Sequence, residues 1–249
     1  MNRIIAIGGG EIGRPGQPIQ TTKIDKEIIK LTGKKKPKIL FIPTASNDSE
    51  GYFNVVTKHF GKRLGCSVDV LNLLDNKISK KEIEQKIFRS DALYVGGGNT
   101  LKLMIAWRKK GIDKIIKKAI SKGIVLSGIS AGAICWFKQG NSDSRRITNP
   151  SADLIKVKGL NLVNALFCPH YDFEKNRKKD LKKMMKKTSG IAIAIDNCCA
   201  IEIVGKWYRI ISSKKDANAY KVYWKAGKYY QNLIEKKKEF YPLPELLKK

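Results

Sequence analysis

The 249-residue sequence predicts an α/β fold, and three observations carry that prediction. Strand-length apolar runs at 4–7, 38–43, 92–95, 124–126 and 191–195 alternate with stretches whose apolar residues recur at helical spacing. Each run ends in glycine or polar residues, as strands do when their C-terminal ends open into functional loops. The third observation is Ser127-Gly128-Ile129-Ser130-Ala131-Gly132-Ala133, where small residues force a tight turn between a buried strand and a resumed apolar run read as a helix. The length supports one substantial core, so a single domain over 1–249 is expected, with a poorly ordered Lys-rich tail at 237–249.

Taken in order, 4–7 is a strand running into Gly8-Gly9-Gly10-Glu11-Ile12-Gly13. That turn imitates a dinucleotide-binding loop, but Arg14-Pro15-Gly16-Gln17-Pro18 cannot be the helix such a loop requires, so the nucleotide reading is rejected. A helix follows over 23–31, stopping at Gly33, then the strand 38–43 and a polar loop over 44–49. Residues 52–64 read as a helix, 68–73 as a strand, 80–88 as a short charged helix and 92–95 as a strand ending in Gly96-Gly97-Gly98-Asn99-Thr100. Helices over 100–107 and 111–122 lead back to the central turn. Beyond it, 138–150 is polar, 165–168 is a strand reaching Pro169-His170, and 176–187 is a basic amphipathic helix. The strand 191–195 ends at Asp196-Asn197; a hairpin turns at Gly205, and another spans 220–230.

The net charge of +28 would attract polyanions, yet its pattern argues against a dedicated nucleic-acid site. The excess is mostly Lys in short clusters, without the Arg-rich or aromatic interleaving that reads bases. Lys-rich, solvated helix faces are expected. No apolar run is long enough for a membrane span or leader, which implies a cytoplasmic protein. Five cysteines, odd in number and without metal-ligand spacing, read as reduced thiols, and no metal or organic cofactor is expected.

Gly128-Ile129-Ser130-Ala131-Gly132 matches Gly-x-Ser-x-Gly, in which a serine on a strained strand-to-helix turn presents its hydroxyl to solvent. The Ala131 amide would face an oxyanion forming there, with the following helix's positive end behind it, and the Gly96–Gly98 turn could supply further N–H donors. His170 lies just past a strand end behind a Pro that fixes its backbone, where a base would stand. The only other histidine, His59, falls within a helix and reads as a surface or packing residue.

Together, Val95-Gly96-Gly97-Gly98-Asn99-Thr100, Gly128-Ile129-Ser130-Ala131-Gly132-Ala133 and Pro169-His170-Tyr171-Asp172 resemble peptidase family S51, which includes dipeptidase E and cyanophycinase. The likeness runs from the first strand to about Val204 and is nearest to an uncharacterised bacterial branch. It implies a mostly parallel sheet sandwiched by helices, flavodoxin-like and related to class I glutamine amidotransferases, with a C-terminal β-hairpin. It also implies Ser130 as nucleophile, His170 as base, and Gly97, Gly98 and Ala131 as oxyanion donors. The family's Glu in the third position falls here on Asn197, with Asp196 before it; an acid also stabilises imidazolium, so Asp196 is the expected third member, with Asn197 and Asp143 as alternatives. The implied activity is serine-type hydrolysis of short peptides, as a dipeptidase preferring N-terminal Asp, with Arg145 and Arg146 as basic groups near the site. A homodimer is compatible with this reading. Asn197, and Lys138 where relatives favour Glu, motivate the alternative of a catalytically impaired scaffold or binding protein.

Overall fold

The computed structural model describes residues 1–249 except 76, 174 and 175. Its chain begins β1 (Arg3–Ile7), α1 (Thr22–Thr32), β2 (Lys38–Ile42), α2 (Glu50–Val56), β3 (Ser67–Val70), α3 (Lys80–Phe88) and β4 (Ala92–Val95). It continues α4 (Thr100–Lys109), α5 (Ile112–Ser121), β5 (Val125–Ile129), α6 (Ala131–Ile134), β6 (Phe137–Ser142), β7 (Ile155–Lys158), β8 (Val163–Cys168) and α7 (Arg177–Lys186). The last elements are β9 (Ala192–Ile195), β10 (Cys199–Val204), β11 (Trp207–Ser212), β12 (Ala219–Lys225), β13 (Lys228–Ile234), β14 (Tyr241–Pro242) and α8 (Leu243–Leu247).

The α/β class is the expected one, and its centre is five parallel strands in the order β1-β5-β4-β2-β3. Antiparallel β10, β11 and β14 extend this sheet from β1. Strand residues alternate between its two faces. Ile5, Ile7, Phe41 and Tyr94 pack with Ile24 and Ile28 of α1 and Val56 of α2, while Ile4, Ala6, Leu40 and Leu93 join α3, α4 and α5 on the other side. Such double burial is why these strands read as continuous apolar runs. Each fully buried Ile or Phe contributes about 1.5–3 kcal/mol of transfer free energy, so the core belongs chiefly to these strands.

A second sheet, β13-β12-β9-β8-β6-β7, shares that core on one face and is covered by α7 on the other through Leu181 and Met185. The sequence reading gave neither this division into two sheets nor β6. Lys138-Gln139-Gly140-Asn141-Ser142 reads as a polar loop, yet it pairs with β8 on one side and β7 on the other, and Gly140, Asn141 and Ser142 are buried. Two helices also differ from expectation. The stretch 52–64 is α2 followed by π-helical turns over Thr57–Arg63, and the helix after Ser130 is one turn, Ala131–Ile134. The tail expected to be poorly ordered pairs β14 with β11, and Leu246 of α8 is buried. Among the described residues, no helix is long and apolar enough to cross a membrane.

His59 is buried, not at the surface. Its Nε2 lies 2.8 Å from Asp25 Oδ2, which also accepts the Thr21 hydroxyl at 2.7 Å, tying α1 to the π-helical segment. Burial pushes the Asp25 carboxyl above its ordinary pKa, and the hydrogen bond to His59 opposes that rise. Asp25→Ala leaves His59 and Thr21 without this acceptor in the interior. It is expected to lower unfolding free energy by about 2–4 kcal/mol in urea titration at pH 7. A loss below about 0.5 kcal/mol would show that the cluster does not hold α1 in place.

Candidate active site

Ser130 follows β5 with φ 54° and ψ −112°, a conformation that side chains rarely adopt. Its N–H donates to the Ile7 carbonyl at 3.0 Å, extending the β1–β5 pairing one residue past the strand, and its own carbonyl accepts from Ala133 and Ile134. The two glycines of the motif are steric requirements: a Cβ on Gly128 would overlap the Gly132 carbonyl, and one on Gly132 the Val95 carbonyl. With side chains there, the one-turn α6 could not fold back over the ends of β4 and β5.

His170 also has positive φ, 52°, and its N–H donates to the Gly8 carbonyl at 3.1 Å. This fixes the imidazole between Ser130 and Asn197: Nε2 is 2.8 Å from Ser130 Oγ, and Nδ1 is 2.7 Å from Asn197 Oδ1. Asn197 is held in turn, because its backbone N–H donates to Asp172 Oδ1 at 2.8 Å.

The expected third member, Asp196, is turned away. Its Oδ2 accepts the Asn218 N–H at 2.9 Å while its own N–H donates to the Asn218 carbonyl, so the side chain staples the end of β9 to the start of β12. The residue is 4% exposed, and burial pushes its carboxyl up to about 6. Successive residues leaving a strand point to opposite sides, and the side facing His170 belongs to Asn197. Asp143, the other alternative, lies beyond β6 with its carboxylate 3.8 Å from Arg177.

The three expected oxyanion donors do not share one environment. Ala131 directly follows Ser130 at the start of α6. Gly97 lies beside the serine, its Cβ position 3.6 Å from Ser130 Cβ, but its N–H donates to the Tyr52 hydroxyl over a long 3.5 Å. Gly98, at φ 132°, packs against the Ala45 carbonyl and leads into Asn99, whose Oδ1 caps α4. Since α6 is a single turn, the helix dipole expected behind the oxyanion is correspondingly short.

A cleft of about 940 Å³ opens in front of Ser130 and His170, with Glu11, Arg14, Tyr52, Lys58 and Gly97 among its walls. Its basic residues are thus Arg14 and Lys58. Arg145 and Arg146 do not line it: Arg145 is an exposed loop residue, and Arg146 bonds the Ala152 carbonyl and pairs with Asp180 at 3.5 Å. Lys138 lies on the outside of β6, also away from the cleft. Cys135 is buried with its Sγ 3.0 Å from the Gly132 carbonyl, and burial pushes the thiol well above its ordinary pKa.

Sequence reasoning missed the role of the first glycine turn. A Cβ on Gly9 would overlap both Asn197 Oδ1 and His170 Nδ1, so the turn is the floor on which that pair rests. Gly9 O also accepts the Cys198 N–H at 2.8 Å, locking the segment after Asn197. The available signal was that β1 ends in three glycines while neighbouring the serine's strand. Past the turn, Glu11 Oε1 accepts the N–H groups of Ile12, Gly13 and Arg14, and Oε2 accepts Arg14 Nε at 2.7 Å. Burial raises the Glu11 carboxyl, but these bonds to Arg14 and the backbone outweigh it and hold the group below its ordinary pKa. Among the described residues, no group of three or more His, Cys, Asp or Glu could hold a metal ion.

Comparison with known proteins agrees with the expected family. The family model described as peptidase family S51 matches residues 4–211. An uncharacterized peptidase of Bacillus subtilis, YgaJ, is 35% identical over 224 residues, covering 89% of this chain and 92% of that protein. Peptidase E of Nostoc sp. is 30% identical over 150 residues, 59% of this chain and 57% of that one. The crystal structure of a peptidase from an acI-B1 Actinobacterium shares the fold with a TM-score of 0.71, at 20% identity over 97% of both chains. A putative peptidase E from Listeria monocytogenes does so with a TM-score of 0.64, at 24% identity over 85% of this chain and 98% of that one. The family match takes in the whole parallel sheet and every residue gathered around the serine, and on that ground the chain belongs to peptidase family S51.

Proposed function

We propose that this peptidase is of the serine type and cleaves short peptides through an acyl-enzyme on Ser130, with His170 as base and Asn197 orienting the imidazole. The observation that carries the reading is the unbroken chain Ser130 Oγ, His170, Asn197 Oδ1, with separations of 2.8 and 2.7 Å, whose Ser130 and His170 line the cleft. Asn197 Oδ1 accepts Nδ1–H, which leaves Nε2 unprotonated to take the serine proton. Ser130 Oγ then attacks the peptide carbonyl, and the imidazolium returns that proton to the leaving amine. Water, deprotonated by the same nitrogen, hydrolyses the ester. An amide in the third position fixes the tautomer without placing a full negative charge beside the imidazolium, so turnover is expected to be slower than with a carboxylate there.

The substrate reading is a dipeptide with N-terminal Asp. Lys58 on the cleft wall favours an acidic side chain, with Arg14, paired to Glu11 on the same wall, beside it. A second reading, an impaired scaffold, is favoured by the amide at 197 and is separated by the same assays.

Hydrolysis of Asp-Leu and Asp p-nitroanilide by wild type should fall by at least about 1,000-fold in Ser130→Ala. If the two were equally inert, the scaffold reading would replace the peptidase one. Asn197→Ala should lower kcat by about 10- to 100-fold, whereas Asp196→Asn should stay within about threefold of wild type. A reversed order would return the third position to Asp196.

Asp196 makes a separate prediction about pH. Its folded-state value, about 6 against an ordinary 3.8, means that the native state holds this proton more tightly than the unfolded chain. The resulting stabilisation is complete below the ordinary value and is lost as pH rises through the folded one. Raising pH from 4 to 8 should therefore cost wild type about 1–2 kcal/mol more than Asp196→Asn in urea unfolding. Gly9→Ala should remove activity by about 100-fold or more, because the new methyl displaces His170 and Asn197 by more than active-site geometry tolerates. Near-normal turnover of that variant would show that the glycine floor does not set the pair's position.

A further inference from the structure

Tyr52 projects from α2 into the cleft that Ser130, His170 and Gly97 line. Its ring is fixed by an edge-on contact with Phe41, centroids 4.9 Å apart at 66°, and Gly96 leaves room for it, a Cβ there coming within 3.0 Å of Tyr52 Cε1. The hydroxyl oxygen accepts the Gly97 N–H, and Gly97 is the residue that lies against Ser130. Two consequences follow from that bond. The Gly97 N–H points at Tyr52, so in this arrangement it is not aimed at a substrate oxygen. The phenolic proton, in turn, must point elsewhere, and among the described residues the hydroxyl donates to no protein acceptor. The direction left to it is the cleft.

We infer that Tyr52 is a catalytic residue of this peptidase, its O–H donating to the carbonyl oxygen of the scissile bond as Ser130 attacks, with the Gly97 N–H on the far side of its oxygen. The inference rests on the peptidase reading above and adds a side-chain donor to a hole that sequence reasoning built from backbone amides alone. In the step concerned, Ser130 Oγ bonds to the carbonyl carbon, its proton passes to His170 Nε2, and the π pair of the carbonyl moves onto oxygen. Tyr52 supplies a hydrogen bond to that oxygen and keeps its proton. Burial pushes the phenol up to about 12, so it remains a donor throughout the pH range in which a neutral histidine is available.

The test is Tyr52→Phe beside wild type and Ser130→Ala, with thermal unfolding confirming that the Phe41 contact is retained. The expected result is a kcat about 10- to 100-fold lower on Asp p-nitroanilide with KM within about threefold, the signature of a lost transition-state donor. A peptide aldehyde, which forms a tetrahedral adduct on serine, should bind the variant about 10- to 100-fold more weakly. A reduced-bond dipeptide analogue without a carbonyl should bind both proteins equally. The ratio of these two affinities does not depend on how much of the variant is folded. Unchanged kcat and unchanged aldehyde affinity, in an active wild type, would overturn the role of Tyr52 and leave the peptidase reading standing. Wild type as inert as Ser130→Ala would overturn both.

Discussion

The backbone of Ser130, at φ 54° and ψ −112°, is the constraint on which the arrangement around it depends. A residue held in a sparsely populated region costs about 1–3 kcal/mol and persists only where its surroundings over-determine it. Here the surroundings are specific. The Ile7 carbonyl takes the serine N–H, so β1 must neighbour β5, and the Gly128 and Gly132 contacts require β4 to stop beside the same turn. Three adjacent parallel strands therefore end together, and the loops after each converge on one place. The loop after β1 carries Gly9, that after β4 carries Gly97, and that after β5 carries Ser130. This is the general logic by which open parallel sheets place their sites at the C-terminal ends of strands.

The second sheet completes the site from the other side. His170 follows β8 and Asn197 follows β9, two parallel neighbours in that sheet, so the pair is spaced by the strand separation before any side-chain contact forms. The sheets meet at the first glycine turn, where Gly8 O holds the His170 backbone and Gly9 O holds Cys198. An amide beside His170 suits this crowded place. Burial, with the charge of Asp172 adding to it, lifts the adjacent Asp196 carboxyl to about 6, and Asp172 stands close enough to bond the Asn197 backbone. A third carboxylate would be repelled by its neighbours and desolvated, whereas the Asn197 amide meets the ring at no such cost.

What the sequence disclosed follows the same physics. Strands buried on both faces announce themselves as apolar runs, and β4 and α3 have the bounds read from the sequence. That Ser130 and His170 would stand together was legible because a strained turn needs small neighbours and because the chain has two histidines. Which of Asp196 and Asn197 faces His170 was not legible. It turns on which way a side chain leaves a strand end, and the following Cys198, at φ 62°, breaks the alternation from which direction would be read. β6 was hidden because its buried polar residues are satisfied by partners distant in sequence: Ser142 by Thr100, and Asn141 by Arg177. Arg14 and Lys58 come to the cleft through the Glu11 loop and α2's extension, whereas Arg145, nearer Ser130 in sequence, stays on an exposed loop. Proximity along the chain was a poor guide because the chain after Ser130 passes through α6 into β6 of the second sheet.

Part of the positive charge has a structural use that composition conceals. On α7, Lys178, Lys182 and Lys186 recur every four residues and so form one stripe. Their ammonium groups lie 5.3 Å over Tyr171, 5.1 Å over Tyr229 and 5.8 Å over Trp224. Tyr229 and Trp224 are cross-strand neighbours on β13 and β12, and the indole N–H donates to the Lys182 carbonyl at 3.1 Å. The helix is thus held on its sheet by Leu181 and Met185 beneath and by a row of cation–π contacts along its flank. At partly exposed positions each contact contributes about 0.5–1 kcal/mol, less than a buried leucine but repeated three times on a helix that buries few apolar residues. A stripe of lysines that covers aromatic rings with its stems and heads differs physically from a stripe that waits for a phosphate backbone. The same residues that suggest a polyanion site in a charge count are, in the fold, part of what seats α7 against the sheet carrying His170.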